Sequence, residues 1–301
     1  MTLLREIRSG LRYSMTSVYF CISAIMIAAV GWFQLTEMTN GTTELAVSAL
    51  LGFNKGVCSF PATLSAAGFI LGFFSPYWSD MVIVAAGALC FSVSYCDERT
   101  SGMLRFTISR SSKVRYSISK LICAAITSAL AMLLGYLLFC LSAVILAPPL
   151  SSFNSEEITE YLRQYSSDPA VMQQNPAMVK LFLDSSITVF FALFDIVFWA
   201  WFSLAVAAIS PNKYLAITIT AMVYYLWEKM LFSDFSSYKN WIMLISPQKA
   251  TASTADYFIL SGMTRGSSTL FAVLLMLVRM MIPLTVFCVV TARRCDIGSS
   301  D

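Results

Sequence analysis

The sequence contains no histidine. This absence excludes Ser-His-Asp hydrolysis, Cys-His catalysis and histidine-ligated metal sites. The sequence also has no G-x-x-x-x-G-K-[ST] segment, which is the loop that binds ATP phosphates in P-loop ATPases. We therefore expect no catalytic activity and no cofactor or metal in this chain.

Charged residues are scarce as well. They make up 12% of the chain, against about a quarter in an average globular protein, while 57% of residues are hydrophobic. The net charge of +3 is too small and too dispersed for a surface that binds nucleic acid. Apolar stretches of about 20 residues recur, and each is long enough to cross a bilayer core of about 30 Å. The composition predicts an all-α membrane protein, with residues 1–301 forming one transmembrane domain.

We predict six transmembrane helices, at about 17–35, 77–96, 119–147, 185–209, 214–232 and 268–292. The apolar run that ends at Leu35 is too long for a cleaved signal peptide, so we expect the first helix to be retained. An even number of spans puts both termini on one side of the membrane. Lys and Arg outnumber Asp and Glu by more than two to one in the segments on that side. The positive-inside rule therefore predicts cytoplasmic N and C termini.

Two of the outer segments differ from ordinary loops. Residues 43–75 and 233–267 contain apolar runs that are too short to span a bilayer and too apolar for a solvated loop. Such runs are typical of helices that lie in the membrane interface. We expect short interfacial helices on the outside.

The most informative segment is cytoplasmic and lies at residues 97–118, between spans two and three. Here Glu98 ends a hydrophobic helix, and Gly102 follows at the spacing Glu-x-x-x-Gly. Glycine permits a sharp change of chain direction, because it has no Cβ. The residues that follow form one short amphipathic helix, and basic residues continue to Lys120 at the edge of the third span.

This pattern resembles the first cytoplasmic loop of the type-2 ABC transporter permeases. That loop reads Glu-x-x-x-Gly, a short helix, Arg, and a Lys that opens the next span; Glu98, Gly102, Arg110 and Lys120 stand at those positions. The resemblance extends over the whole chain, through the six predicted spans and the cytoplasmic termini. One departure is Ser111 after Arg110, where the family often has proline.

The resemblance implies that the amphipathic helix is a coupling helix, which docks on a separate ATPase subunit. The residues assigned to this docking segment are Glu98, Gly102, Met103, Leu104, Arg105, Phe106 and Arg110. Met103, Leu104 and Phe106 would be buried in the contact, and the charged side chains would surround them. The alternative is that Glu98 and the basic residues only cap helix ends and follow the positive-inside rule.

The resemblance also implies a function. The chain would be the permease subunit of an ATP-driven exporter in the plasma membrane of a bacterium. It would work with ABC ATPase subunits, which bind ATP and Mg²⁺, and with a second permease copy or a paralogue. Many Phe and Met and few charges suit an amphipathic or hydrophobic cargo, with antimicrobial or toxin-like peptides as the first candidate. The alternatives are export of drugs or lipids, a non-transporting membrane anchor or immunity protein, and an intramembrane enzyme.

Two further sets of residues stand out within the predicted spans. Asp195 and Arg279 are the charges farthest from the span ends; each lies about 15 Å deep at 1.5 Å per residue. A lone charge there costs about 2.5–3.5 kcal/mol, so the two are candidates for an ion pair. The alternative is that each finds backbone carbonyls or water separately.

Ala24 and Ala28 form a small face on the first span, a candidate for a helix contact inside the subunit or between permeases.

Overall fold

The computed structural model describes residues 3–33, 35–37, 43–45, 47, 65–73, 77–101, 112–148, 176–232 and 265–297. This part of the chain is helical apart from two three-residue strands. The helices are α1 Leu3–Met15, α2 Val18–Val30, α3 Ala66–Gly72, α4 Tyr77–Thr100, α5 Lys113–Leu146, α6 Pro176–Ile209, α7 Lys213–Phe232 and α8 Arg265–Ile297.

Five of the six predicted spans fall on one helix each. The first, 17–35, covers α2 and a 3-10 turn at Gly31–Phe33, and its predicted end at Leu35 lies instead in a strand, Leu35–Glu37. Within the described residues, three helical stretches are long and apolar enough to cross a membrane: Met81–Thr100, Lys113–Leu146 and Ala192–Ile209. A fourth results if α1 and the helix that follows it form one bent span. The apolar stretch Lys213–Leu226 is shorter than these helical stretches. The chain therefore has the helices of a membrane protein.

Two short strands accompany the helices. Strands β1 (Leu35–Glu37) and β2 (Thr43–Leu45) pair antiparallel, with Leu35 opposite Leu45 and Thr36 opposite Glu44. Threonine, which is present in both strands, favours the extended backbone. Farther along the same segment is α3, where the Ser65 hydroxyl accepts a hydrogen bond from the Gly68 amide and so caps the helix. Residues 233–264, the other predicted interfacial segment, lie outside the described residues.

The described chain divides into two units by its contacts. The first comprises Met1–Ser23, Ile83–Met132 and Phe191–Asp301, and the second comprises Ala24–Val82 and Leu133–Phe190. The core of the first unit contains Tyr95, Tyr116, Leu204 and Phe287, all fully or almost fully buried. Polar side chains add contacts between its helices: the hydroxyls of Ser92 and Ser203 lie 2.6 Å apart, and those of Ser117 and Thr291 lie 2.9 Å apart.

The second unit is packed around aromatic rings. The ring of Phe139 lies 5.5 Å from that of Trp32 and 4.9 Å from that of Phe73. The Trp32 indole N–H also donates a hydrogen bond to the Ser142 hydroxyl, at 3.0 Å. This unit contains both alanines of the predicted small face.

Candidate functional site

The predicted docking segment is bordered by the end of α4 and the start of α5. Ser112 caps α5, since its hydroxyl accepts from the Arg115 amide and its carbonyl accepts from the Tyr116 amide. The turn between α6 and α7 lies in the same unit, where Pro211 follows α6 and the Asn212 side chain accepts from the Tyr214 amide at 3.0 Å. Local capping residues thus fix where α5 and α7 begin.

Glu98 and Lys120 form an ion pair between α4 and α5. The Lys120 amine lies 2.6 Å from one carboxylate oxygen of Glu98 and 2.5 Å from the other. Only 10% of the Lys120 side chain is exposed, and its amine lies 5.4 Å from the ring centroid of Tyr116 and 6.0 Å from that of Phe91. Aromatic faces attract a cation at this range, so both rings stabilise the charged amine. The pair joins the two helices at the points where the chain leaves α4 and enters α5.

The residues on either side of Glu98 contact the next two helices. Arg99 donates hydrogen bonds to the carbonyls of Ala207 and Ala208, both at 2.7 Å. These carbonyls belong to the last turn of α6, where backbone acceptors have no partner inside the helix. Asp97 lies 3.5 Å from Lys213 at the start of α7, ahead of the predicted fifth span, and raises the pKa of that amine. We call the five residues Asp97, Glu98, Arg99, Lys120 and Lys213 the inner cluster.

The inner cluster therefore links the ends of four helices through three consecutive residues. Glu98 is paired within the chain, so its carboxylate is already neutralised without a partner protein. Gly102, Met103, Leu104, Arg105, Phe106 and Arg110 lie outside the described residues. The coupling helix stays a prediction from the sequence.

The two candidate mid-span charges are neighbours. The Arg279 guanidinium lies 3.3 Å from a carboxylate oxygen of Asp195, and both residues are buried, with 7% and 5% of their surfaces exposed. The guanidinium carbon also lies 4.5 Å from the ring centroid of Phe198. Since Phe198 follows Asp195 by three residues on α6, the carboxylate and the ring share one helix face. Arg279 on α8 is thus held to α6 by an ion pair and a cation–π contact.

The small face of the first span meets α5. A Cβ added at Gly135 would lie 2.8 Å from the Ala24 carbonyl oxygen and 2.7 Å from the Ile27 side chain. Ala24 is 1% exposed and Ala28 is partly buried. Small residues on both helices allow this close approach, so Ala24 lies in a helix contact within the chain.

The sequence interpretation gave no role to Arg99 and Lys213, and it took Phe198 for part of a packing or lipid-facing stripe rather than a neighbour of Arg279. A basic residue near a helix end is usual in a cytoplasmic loop, so charge alone does not reveal that Arg99 caps a different helix. For Phe198 a signal was present, namely its spacing of three residues from a buried carboxylate. Comparisons of the chain with protein-family models, with curated proteins and with solved structures find no match.

Proposed function

We propose that the chain is the permease subunit of an ATP-driven ABC exporter, with six transmembrane helices and both termini in the cytoplasm. The observation that carries the proposal is the ion pair of Glu98 and Lys120, which joins α4 to α5 on either side of the segment that resembles a coupling helix. A short helix between two joined spans moves together with both of them. Such a segment is suited to receive force from a partner and pass it into the membrane.

The remaining inner cluster supports the same proposal. Arg99 attaches α4 to the end of α6, and Asp97 attaches it to the start of α7. A displacement of α4 and α5 would therefore reach two further helices through direct contacts. Capping of helix ends alone would explain the hydrogen bonds of Arg99. It would not explain the pair of Glu98 and Lys120, in which one amine contacts both oxygens of the carboxylate.

The partners follow from this proposal. ATP and Mg²⁺ bind to separate ATPase subunits, and a second permease copy or a paralogue completes the transport path. The cargo is amphipathic or hydrophobic, with antimicrobial or toxin-like peptides ahead of drugs or lipids, and the setting is a bacterial plasma membrane. A membrane anchor or immunity protein is the second candidate, because a buried ion pair such as Asp195 with Arg279 also suits a rigid, non-transporting fold.

The docking segment is tested by Leu104→Asp. A charge buried in an apolar contact without a partner costs several kcal/mol, so co-purification of the chain with its ATPase subunit should be lost. Leu104→Met keeps an apolar side chain of similar volume and should retain the complex. Membrane insertion of both variants is measured in parallel. Undiminished recovery of the ATPase with Leu104→Asp would contradict the docking assignment.

A further inference from the structure

Helix α1 presents two different faces. Its buried face carries Ile7, Gly10, Leu11 and Ser14, which lie against the core of the first unit. The Cys123 thiol donates to the Ile7 carbonyl at 3.4 Å, and a Cβ added at Gly10 would lie 2.8 Å from the Cys123 sulfur. The rotation of α1 about its axis is therefore fixed by contact with α5.

The opposite face is exposed and basic. Arg5, Arg8 and Arg12 are all exposed. The acidic residue of α1 is Glu6, and its two carboxylate oxygens are buried. The positive charge of the exposed face is thus not balanced by a carboxylate on the same face.

An apolar edge borders the three arginines. At 3.6 residues per turn, successive side chains are about 100° apart, which places Leu4 and Met15 about 20° from each other. The arginines follow within about the next 80° around the helix. Leu4 is 78% exposed, and Val18, just after α1, is 69% exposed. A neighbouring apolar edge and basic edge are the pattern of a helix that lies in a membrane interface.

The chain bends where α1 meets the first predicted span. The axis of Leu3–Met15 makes an angle of 62° with that of Val18–Phe33, across a break of two residues. A short helix joined to a span at that angle runs away from the span axis and stays close to the membrane surface. Its exposed residues therefore meet the headgroup layer.

We propose that the arginine face of α1 binds the phosphate groups of anionic phospholipids in the inner leaflet. The inference rests on the proposed function for the cytoplasmic N terminus, which selects the inner leaflet, and it also requires that Val18–Phe33 enters the bilayer. Anionic headgroups are the ligand because they supply negative charge along a plane, which a row of arginines on one helix edge matches. An acidic protein surface would not explain the exposed leucine beside that row.

The test is native mass spectrometry of the full chain in neutral detergent, with phosphatidylglycerol or phosphatidylcholine added. The wild-type chain should bind phosphatidylglycerol more tightly. Arg8→Gln/Arg12→Gln should lower that affinity by about five-fold for each arginine, or about 1 kcal/mol each. The matched control is Arg115→Gln/Arg293→Gln, which removes two exposed cytoplasmic charges elsewhere and should leave the affinity close to that of wild type. Arg8→Lys/Arg12→Lys keeps the charge and should keep the binding.

Three outcomes would overturn the proposal. Equal losses in the Arg8/Arg12 and Arg115/Arg293 variants would show that net charge decides the binding. A loss in the lysine variant as large as in the glutamine variant would show that altered folding is the cause. Unchanged lipid binding together with weaker co-purification of the ATPase would assign the arginine face to a protein partner.

Discussion

Asp195 and Arg279 illustrate how a membrane protein tolerates charge among apolar side chains. Each residue alone would leave an uncompensated charge that is almost wholly excluded from solvent. Together they form an ion pair at 3.3 Å, and the Phe198 ring lies beside the guanidinium. The ion pair thus stabilises the contact between α6 and α8.

A double-mutant cycle tests this function of the pair. Asp195→Asn and Arg279→Gln should each lower the stability of the detergent-purified chain by about 3–5 kcal/mol, because each leaves one charge unpaired. The combined variant should lose less than the sum of the two, since it leaves neither charge. Thermal unfolding of the four proteins measures the coupling. Strictly additive losses would mean that the two residues are stabilised by separate partners.

At the residue scale, the sequence predicts the depth of the two charges but not all of the side chains that contact them. Counting from the span ends put Asp195 and Arg279 at one depth, and the helical rise made that estimate dependable. Depth does not say which side chain lies beside them, because the rotation of a helix about its axis depends on its neighbours. For that reason the contact of Phe198 with Arg279 was not predicted. Arg99 was overlooked because its acceptors are backbone carbonyls 108 and 109 residues away, which no side-chain pattern reveals.

At the scale of elements, the last turn of helix α6 is hydrogen-bonded by a side chain of another helix, α4. The Arg99 guanidinium supplies donors to two carbonyls of its last turn. A cation at this end is also favoured by the helix dipole. The end of α6 is therefore stabilised from α4 rather than by its own sequence.

Removing this cap should loosen one helix end. Arg99→Met keeps much of the side-chain length but removes the donors, so we expect a loss of about 1–3 kcal/mol. Hydrogen–deuterium exchange should become faster in the last turn of α6, with little change in the middle of that helix. Arg115→Met is the control, because Arg115 is exposed, and it should change stability by less than about 0.5 kcal/mol. Unchanged exchange at residues 206–209 in Arg99→Met would show that the cap is dispensable.

Elements were predicted well where the pattern is long and poorly where it is short. A run of about 20 apolar residues leaves the backbone no alternative to a helix in lipid, and five of the six predicted spans fall on one helix each. The strands at Leu35–Glu37 and Thr43–Leu45 have three residues each, too few for alternation to be recognised. Nor did the sequence reveal how sharply the chain bends between α1 and α2, because the bend depends on α1 packing against α5.

At the scale of the whole molecule, the charge bias predicts an orientation. Fluorescent-protein fusions at the C terminus should fluoresce in a bacterial host, and alkaline phosphatase fused there should be inactive, because the phosphatase folds only outside the cytoplasm. Phosphatase inserted after residue 160 should be active, since that position lies in a predicted outer segment. Phosphatase activity at the C terminus would refute the six-span topology with cytoplasmic termini.

The separation of Asp195 and Arg279 along the chain has a consequence for synthesis. The two residues are 84 positions apart, so α6 leaves the ribosome well before the arginine that neutralises its carboxylate exists. During that interval Asp195 faces lipid, water or the insertion machinery, at a cost of about 2.5–3.5 kcal/mol in hydrocarbon. Packing of α8 against α6 therefore removes a cost that α6 bears alone until then. A nascent chain that stops short of residue 279 would keep a carboxylate in its membrane segment without the arginine that pairs with it.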